Sequence, residues 1–243
     1  MPSLKIDAVS AAQAQQFARI AAVLVLISIF AGGFAEVYVP ARLLVVSDPA
    51  ATARHVADSA PLFRSSFAAY LVEAVCDIVL ALVLYLLLRP AGFALSLLAA
   101  FFGLVSTATF ATSELFYFMA SVPVLDPDVG SHLISGQRDL FIYSALILYG
   151  YGGSIFMVLY GIATALRGYL IYRSAYLPSW LGALLMLAGA GFIVRNFVIV
   201  LFPQYNSKLL LMPMFIAMFA LAGRLLIKGV DTIKWPEASL SAG

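Results

Sequence analysis

The amino-acid sequence predicts an all-α, polytopic transmembrane helix bundle of six spans with no soluble domain. Three observations predict it. Hydrophobic residues make up 63% of the 243 positions and charged residues 11%, against about 45–50% and about 25% in soluble domains. Mean hydropathy is +1.02, more apolar surface than a core of this size can hide, so the solvent has to be lipid. The apolar residues come in runs of about 20 or more, without the in-and-out alternation of a membrane barrel. Backbone groups in lipid must be satisfied within each segment, which makes these runs helices.

The elements follow in order. Residues 1–16 form a polar, alanine-rich segment, expected either to lie on the membrane surface as a helix or to be disordered. The six-helix domain covers 17–228, with spans at about 17–38, 63–88, 91–120, 140–166, 178–202 and 209–227. A tail, 229–243, follows. The third and fourth spans are long, so each tilts or projects past the bilayer. Arg89-Pro90 separates the second span from the third, because proline disfavours helix in the residue before it and suits a first turn. Pro178 starts the fifth span in the same way. Asp48-Pro49 opens a short connecting helix, with Asp48 as N-cap. Gly33-Phe34-Ala35 loosely resembles a signal-peptide cleavage site, but the long polar leader points to a retained first span.

Loops alternate sides, so basic residues sort into two sets. One side holds Lys5, Arg19, Arg89, Arg167, Arg173, Arg224, Lys228 and Lys234; the other holds Arg42, Arg54, Arg64, Arg138, Arg195 and Lys208. Eight against six places both termini in the cytoplasm. Trp180 and Trp235 fall near that boundary, as interfacial anchors do. Net charge is +2 with no basic cluster, which excludes nucleic acid as a partner and leaves the lipid bilayer. Cys76 is the single cysteine, so no internal disulfide and no cysteine-based zinc site is expected. His55 and His132 fall in loops, and no phosphate loop, zinc-protease motif or serine elbow is present. The expectation is no cofactor and no metal. No feature speaks to oligomeric state.

Ionisable residues inside spans are costly and face a bundle interior or a cavity. Ser66, Tyr70, Glu73 and Asp77 recur at spacings of four, three and four, on one face of the second span. Glu114 lies near the end of the third span, with Thr107 two turns further along its face. Arg195 and Asn196 lie in the fifth span, and Ser144, Tyr151 and Ser154 line a face of the fourth. At 1.5 Å per residue, Glu114, Arg195 and Glu73 sit roughly 9, 12 and 15 Å below one boundary. Glu36 ends the first span at that boundary. Glu73 and Asp77 are one turn apart, so two charges there would repel. Either a cation compensates them, with Arg195 the candidate, or one carboxyl keeps its proton. The expected ligand-binding set is Tyr70, Glu73, Asp77, Glu114, Tyr151, Arg195 and Asn196, opening to the extracytoplasmic side. Glu73 and Asp77 are the candidate catalytic groups.

Four functions remain open on these residues. The first is binding of a small apolar or amphiphilic molecule, such as a lipid, in that pocket. The second is a membrane enzyme that uses a buried carboxyl as general acid on an apolar substrate. The third is a proton- or cation-coupled transporter; that the repeat is faint and no proline interrupts a span counts mildly against it. The fourth is a structural or signalling partner in which the charges only join helices. Gly150, Gly152, Gly153, Gly189 and Gly191 point to close helix packing. Tyr85-Leu-Leu-Leu-Arg89-Pro-Ala91 is similar to Tyr169-Leu-Ile-Tyr-Arg173-Ser-Ala175, which raises a parallel repeat against chance similarity.

Several stretches carry a resemblance: Val46-Ser-Asp48-Pro-Ala-Ala-Thr52, Leu62-Phe63-Arg64, and Asp77 followed by Leu80 to Pro90. Tyr149-Gly-Tyr-Gly152, Gly161, Gly168-Tyr-Leu170 and Ser174 to Leu177-Pro178 with Leu181-Gly182 add to it. Together, over about Arg19 to Asn196, the chain resembles a bacterial integral membrane family catalogued as domain of unknown function 4386. The resemblance implies a multi-pass protein of the bacterial inner membrane and no established activity. Tyr149-Gly-Tyr-Gly152 departs from the family's His-Tyr-Gly, which puts a histidine role there in doubt.

Overall fold

The computed structural model describes residues 9–45, 48–205 and 208–235. The first eight residues with Lys5, the pairs Val46-Ser47 and Asn206-Ser207, and the tail beyond Trp235 lie outside the described residues. Seven helices carry the architecture: α1 (Ala11–Leu43), α2 (Pro49–Asp58), α3 (Ala60–Leu88), α4 (Phe93–Met119), α5 (Ser135–Arg173), α6 (Ser179–Leu201) and α7 (Met212–Ile227). Among the described residues there is no strand. Six helices are long and apolar enough to cross a membrane, all but α2, with α7 extended back to Leu209 by a 3-10 turn. The chain is an all-α membrane protein.

The boundaries have local causes. Asp48 caps α2 by accepting the Ala51 N–H at 2.9 Å, with Pro49 in the first turn, as its sequence predicts. α3 stops at Leu88 and passes through a 3-10 turn, Arg89–Ala91, where Pro90 interrupts the α-ladder. Pro178, extended at ψ 130°, precedes α6. α5 has 39 residues, about 58 Å of helix, nearly twice a hydrocarbon core of about 30 Å. Just past the end of α7, Gly229 has φ +61°, which turns the chain back so that its N–H donates to the Arg224 carbonyl at 3.1 Å.

Two helices run well past their predicted ends. α1 does not stop near Tyr38. It runs on to Leu43 through a π-helical segment, Gly33–Tyr38, and past Pro40. α5 does not stop near Leu166. It continues to Arg173 and carries Arg167, sorted above with the loops, to a site only 7% exposed.

The chain groups into two compact units whose limits fall within α1, α3, α4 and α5. The first unit comprises residues up to Leu26, Ile78–Leu104 and Val158 onward. In it α5 and α6 cross at paired glycines: Gly161 meets the Gly189 carbonyl, and Gly168 meets the Gly182 carbonyl. Seven residues forward on α5 match seven back on α6, so the helices run antiparallel with backbones in contact. A Cβ on Gly168 would lie 2.7 Å from the Gly182 oxygen and the Met186 nitrogen. The segment after α7 fastens to the start of α1. Val230 N–H donates to Gln15 Oε1 at 3.0 Å, and Trp235 Nε1 donates to the Val9 carbonyl at 2.9 Å. Trp235 is therefore buried against Tyr176, with ring centres 4.7 Å apart, while Trp180 is exposed. Of the two similar Tyr-to-Arg segments, both of which end helices, Arg89 is buried and Arg173 exposed.

The second unit comprises Ile27–Asp77 and Val105–Met157. α1 and α3 pack antiparallel in a fixed register. Ser28 donates to Asp77 Oδ1 at 2.9 Å, Gly32 lies under the Glu73 carboxylate, and the Ala35 carbonyl accepts from Tyr70 at 2.9 Å. Steps of four and three along α1 thus match steps of four and three back along α3. α2 is held by its cap, by Val45 N–H donating to Thr52 Oγ1 at 2.9 Å, and by Ala53, which packs with Ala120, Ile142 and Ala145.

Candidate functional site

The polar interior of the second unit begins with a backbone irregularity. In the π-helical register a carbonyl takes the N–H five residues on, as the Val39 N–H does in donating to Phe34 O. The Ala35 carbonyl then faces Pro40, which has no N–H. The Tyr70 hydroxyl fills the vacancy, donating to Ala35 O at 2.9 Å. Tyr70 is 1% exposed, so its proton needs such an acceptor. With that proton committed, the Tyr149 hydroxyl, 3.1 Å away, acts as donor to Tyr70. Pro40 therefore sets the position of a buried tyrosine pair on two other helices.

Aromatic rings wall this pair in. Tyr117 stacks on Phe63 at 4.7 Å, meets Tyr70 edge-on at 5.6 Å and lies 5.2 Å from Tyr149. Phe110, about two turns from Tyr117 along α4, meets Tyr70 edge-on and packs on Phe156 of α5. Close approach of α4 and α5 needs Gly152, where a side chain would collide with Ser113.

Four of the unit's carboxylic acids, Glu36, Glu73, Asp77 and Glu114, lie on α1, α3 and α4. Asp77 is 9% exposed and holds the Ser28 bond. Glu73 is half-buried, its oxygens 2.7 and 2.9 Å from where a Cβ on Gly32 would stand, and Oε2 has no hydrogen-bond partner among the described residues. Glu36 sits half-buried in the π segment. Glu114 is 3% exposed, and neither of its oxygens has a hydrogen-bond partner among the described residues. A buried polar group in that state costs several kcal/mol when nothing satisfies it. The unit's sequence contains no lysine, and its arginines, Arg42, Arg54, Arg64 and Arg138, sit at helix ends or on the connecting helix α2.

Glu114 and Tyr70 share a groove between α3 and α4 of about 330 Å³. Phe67, Leu71, Ala74, Ala111, Thr112 and Leu115 make up the rest of its wall. The wall is mostly apolar, and Leu71 and Leu115 on its rim are more than half exposed, facing where lipid tails lie.

Of the residues expected to form one site, Tyr70, Glu73, Asp77 and Glu114 fall in this unit with inward or half-buried side chains. Tyr151 also falls here but is 61% exposed. The face of α5 that turns inward is the one of Ile142, Ala145, Tyr149, Gly152 and Phe156, and Tyr149 takes the place expected for Tyr151. The small residues Ala145 and Gly152 on that face are the signal that marks it. Arg195 and Asn196 belong to the first unit. Arg195 is half-buried; Asn196 is buried and donates to the Phe192 carbonyl at 2.8 Å, its Oδ1 without a partner among the described residues.

The first unit holds a site that sequence reasoning passes over. Arg167, Thr164 and Tyr160 line a small cavity of about 10 Å³ with Val25, Leu80, Leu84 and Met218. Thr164 is fully buried and its hydroxyl has no partner among the described residues. This space suits one water molecule and nothing larger. Among the described residues no group of three His, Cys, Asp or Glu is placed to hold a metal ion.

An uncharacterised protein of the archaeon Archaeoglobus fulgidus is 30% identical to this chain over 120 residues. That region covers 49% of this chain and 58% of the archaeal one, so the match spans little more than half of the relative's length. The relative takes the comparison outside the bacterial setting that the resemblance implies. No solved structure matches the chain. The family profile described as a domain of unknown function, DUF4386, matches residues 20–229, across all six spans and both units, and the chain belongs to that family.

Proposed function

We propose that this membrane protein binds a small apolar or amphiphilic molecule, drawn from the bilayer, in the groove walled by Tyr70 and Glu114. The observation that carries the reading is Glu114. A carboxyl group 97% removed from solvent, with neither oxygen hydrogen-bonded among the described residues, stands in the wall of a groove that opens between exposed leucines. A ligand with a hydrogen-bond-donating head and an apolar tail satisfies the acid and fills the apolar wall together. Glu73 and Asp77 face Gly32 and Ser28 of α1 and stand outside the lining of this groove, so Glu114 is the acid that selects a donor or cationic head. We also propose that the membrane is the cytoplasmic one, with both termini inside. Setting aside Arg167 and Arg195, which lie within helices, leaves seven basic residues against five on the two sides.

The test uses purified full-length chain in detergent, with dodecylamine, dodecanol and dodecanoate as probes of thermal unfolding. The amine and the alcohol stabilise the protein and the carboxylate does not. Glu114→Leu abolishes the response while raising intrinsic stability, because an apolar side chain replaces an unsatisfied buried acid. A response that survives in Glu114→Leu, or no response to any probe, refutes the reading.

A second reading, a proton or cation relay in transport, is favoured by one observation. Glu36, Glu73, Asp77 and Glu114 share a unit whose spans hold no basic residue between their ends. Proteoliposomes loaded with a pH dye separate the two. Flux that falls in Glu73→Gln and Asp77→Asn favours the relay; the absence of flux leaves binding.

A further inference from the structure

A second groove in the same unit lies away from the Glu114 wall. It has a volume of about 510 Å³ and is lined by Arg42, Leu43, His55, Asp58, Ser59 and Leu62. These residues come from the end of α1, the last turn of α2 and the start of α3. All three places are span ends or the connecting helix, where a bilayer's headgroups meet water. We propose that this groove binds a phosphate–ammonium zwitterion, the chemistry of a phosphoethanolamine headgroup.

Charge and geometry argue for both halves of that ligand. The Arg42 guanidinium lies 4.7 Å above the Tyr38 ring, which holds a long side chain in one place. Its planar fork suits a phosphate. Asp58, the last residue of α2, lines the same groove. The carbonyl end of a ten-residue helix favours a cation. An acid and a helix C-terminus together suit an ammonium group, and the Ser59 hydroxyl and His55 imidazole supply further hydrogen bonds. A purely anionic ligand would meet Asp58 as a repulsion, and a purely cationic one would meet Arg42. Leu43, 2% exposed, and Leu62 add apolar lining to the groove.

The walls are preorganised. The Asp48 cap, the reciprocal Val45–Thr52 hydrogen bonds and the packing of Ala53 on Ala120, Ile142 and Ala145 fix α2. Little ordering remains for a ligand to impose.

The experiment measures binding of short-chain phosphatidylethanolamine, phosphatidylglycerol and phosphatidylcholine to the detergent-purified full-length chain by native mass spectrometry. Soluble O-phosphoethanolamine serves as competitor. Phosphatidylethanolamine binds tightest. Arg42→Ala weakens it and phosphatidylglycerol about fivefold or more, whereas Asp58→Asn weakens only phosphatidylethanolamine by a similar factor. Arg54→Ala, on α2 but outside the groove, changes neither. Arg42→Lys is the second variant should Arg42→Ala fold poorly; it keeps the charge, loses the fork and gives an intermediate loss. Competition by O-phosphoethanolamine at similar concentration supports the headgroup chemistry with a soluble ligand as source. Failure to compete, with the same variant pattern, supports it with the lipid as source. Equal affinity for the three lipids, or no effect of Arg42→Ala and Asp58→Asn, overturns the proposal. Glu114→Leu is not expected to alter this binding, so its outcome is separate from that of the first groove.

Discussion

Tyr70→Phe tests how Pro40 and the tyrosine pair are connected. The hydroxyl makes two hydrogen bonds, to the Ala35 carbonyl at 2.9 Å and with Tyr149 at 3.1 Å. The substitution keeps the ring, which packs edge-on against Phe110 and Tyr117, and so isolates the hydroxyl. Interhelical hydrogen bonds in membranes are worth about 0.6 kcal/mol on average and up to about 1.7. Losing two therefore costs about 1–2 kcal/mol. The sharper expectation lies in the double variant. Pro40→Ala restores the amide missing from the register, so the Ala35 carbonyl gains a backbone donor whether the segment stays π or returns to α. In that background Tyr70→Phe loses only the Tyr149 bond, and its cost falls by about one hydrogen bond, roughly 1 kcal/mol. Equilibrium unfolding in mixed micelles of the four proteins gives the coupling. Equal costs of Tyr70→Phe in both backgrounds refute the argument, since the Ala35 carbonyl would then be satisfied without Tyr70.

Other outcomes follow from the same packing. Gly168→Val and Gly182→Ala force α5 and α6 apart, because a Cβ at either place meets backbone atoms; each costs about 1–3 kcal/mol in the same unfolding assay. Gly150→Ala and Gly153→Ala meet open space and cost nothing, gaining up to about 1 kcal/mol of helix propensity. Ser28→Ala removes the donor to Asp77 and costs about 1 kcal/mol. Tyr176 lies between α5 and α6, buried, and donates to the Leu87 carbonyl at 2.8 Å. Burial holds its hydroxyl well above the ordinary tyrosine range, against a smaller lowering from the Ala91 backbone. The fold thus favours the neutral form, and the stability this gives is present at neutral pH and lost as pH climbs past about 10. Stability measured against pH therefore falls less steeply above pH 10 in Tyr176→Phe.

Much of this protein is legible in one dimension. Apolar runs long enough for a bilayer, broken by Arg89-Pro90, Asp48-Pro49 and Pro178, mark the spans and their ends, because lipid leaves the backbone no choice but helix. The Ser66, Tyr70, Glu73 and Asp77 face is equally local, being a matter of helical spacing on α3. The paired glycines are a different case. Gly189 reads as a packing residue by itself, but its partner Gly161 is fixed only by the crossing of α5 on α6. Tyr149 and Tyr151 stand two positions apart, with Gly150 between them, and look equivalent in sequence. Which one turns inward depends on how α5 rotates against α4, and the Gly152–Ser113 contact decides that. Arg167 reads as a loop residue because a charge normally ends a span, and only a continuing helix with a cavity beside it carries the guanidinium inward. Pro40 is the plainest instance. A proline after an apolar run signals an ending, yet here the helix continues, because a tyrosine 30 residues along the chain donates to the carbonyl that the proline strands. Sequence alone determined where the helices are and which face of α3 is polar, since both follow from local chemistry and the solvent. Tertiary structure decided which polar groups are satisfied, and by what, because a hydrogen-bond partner on another helix is a matter of register and rotation that no single segment encodes.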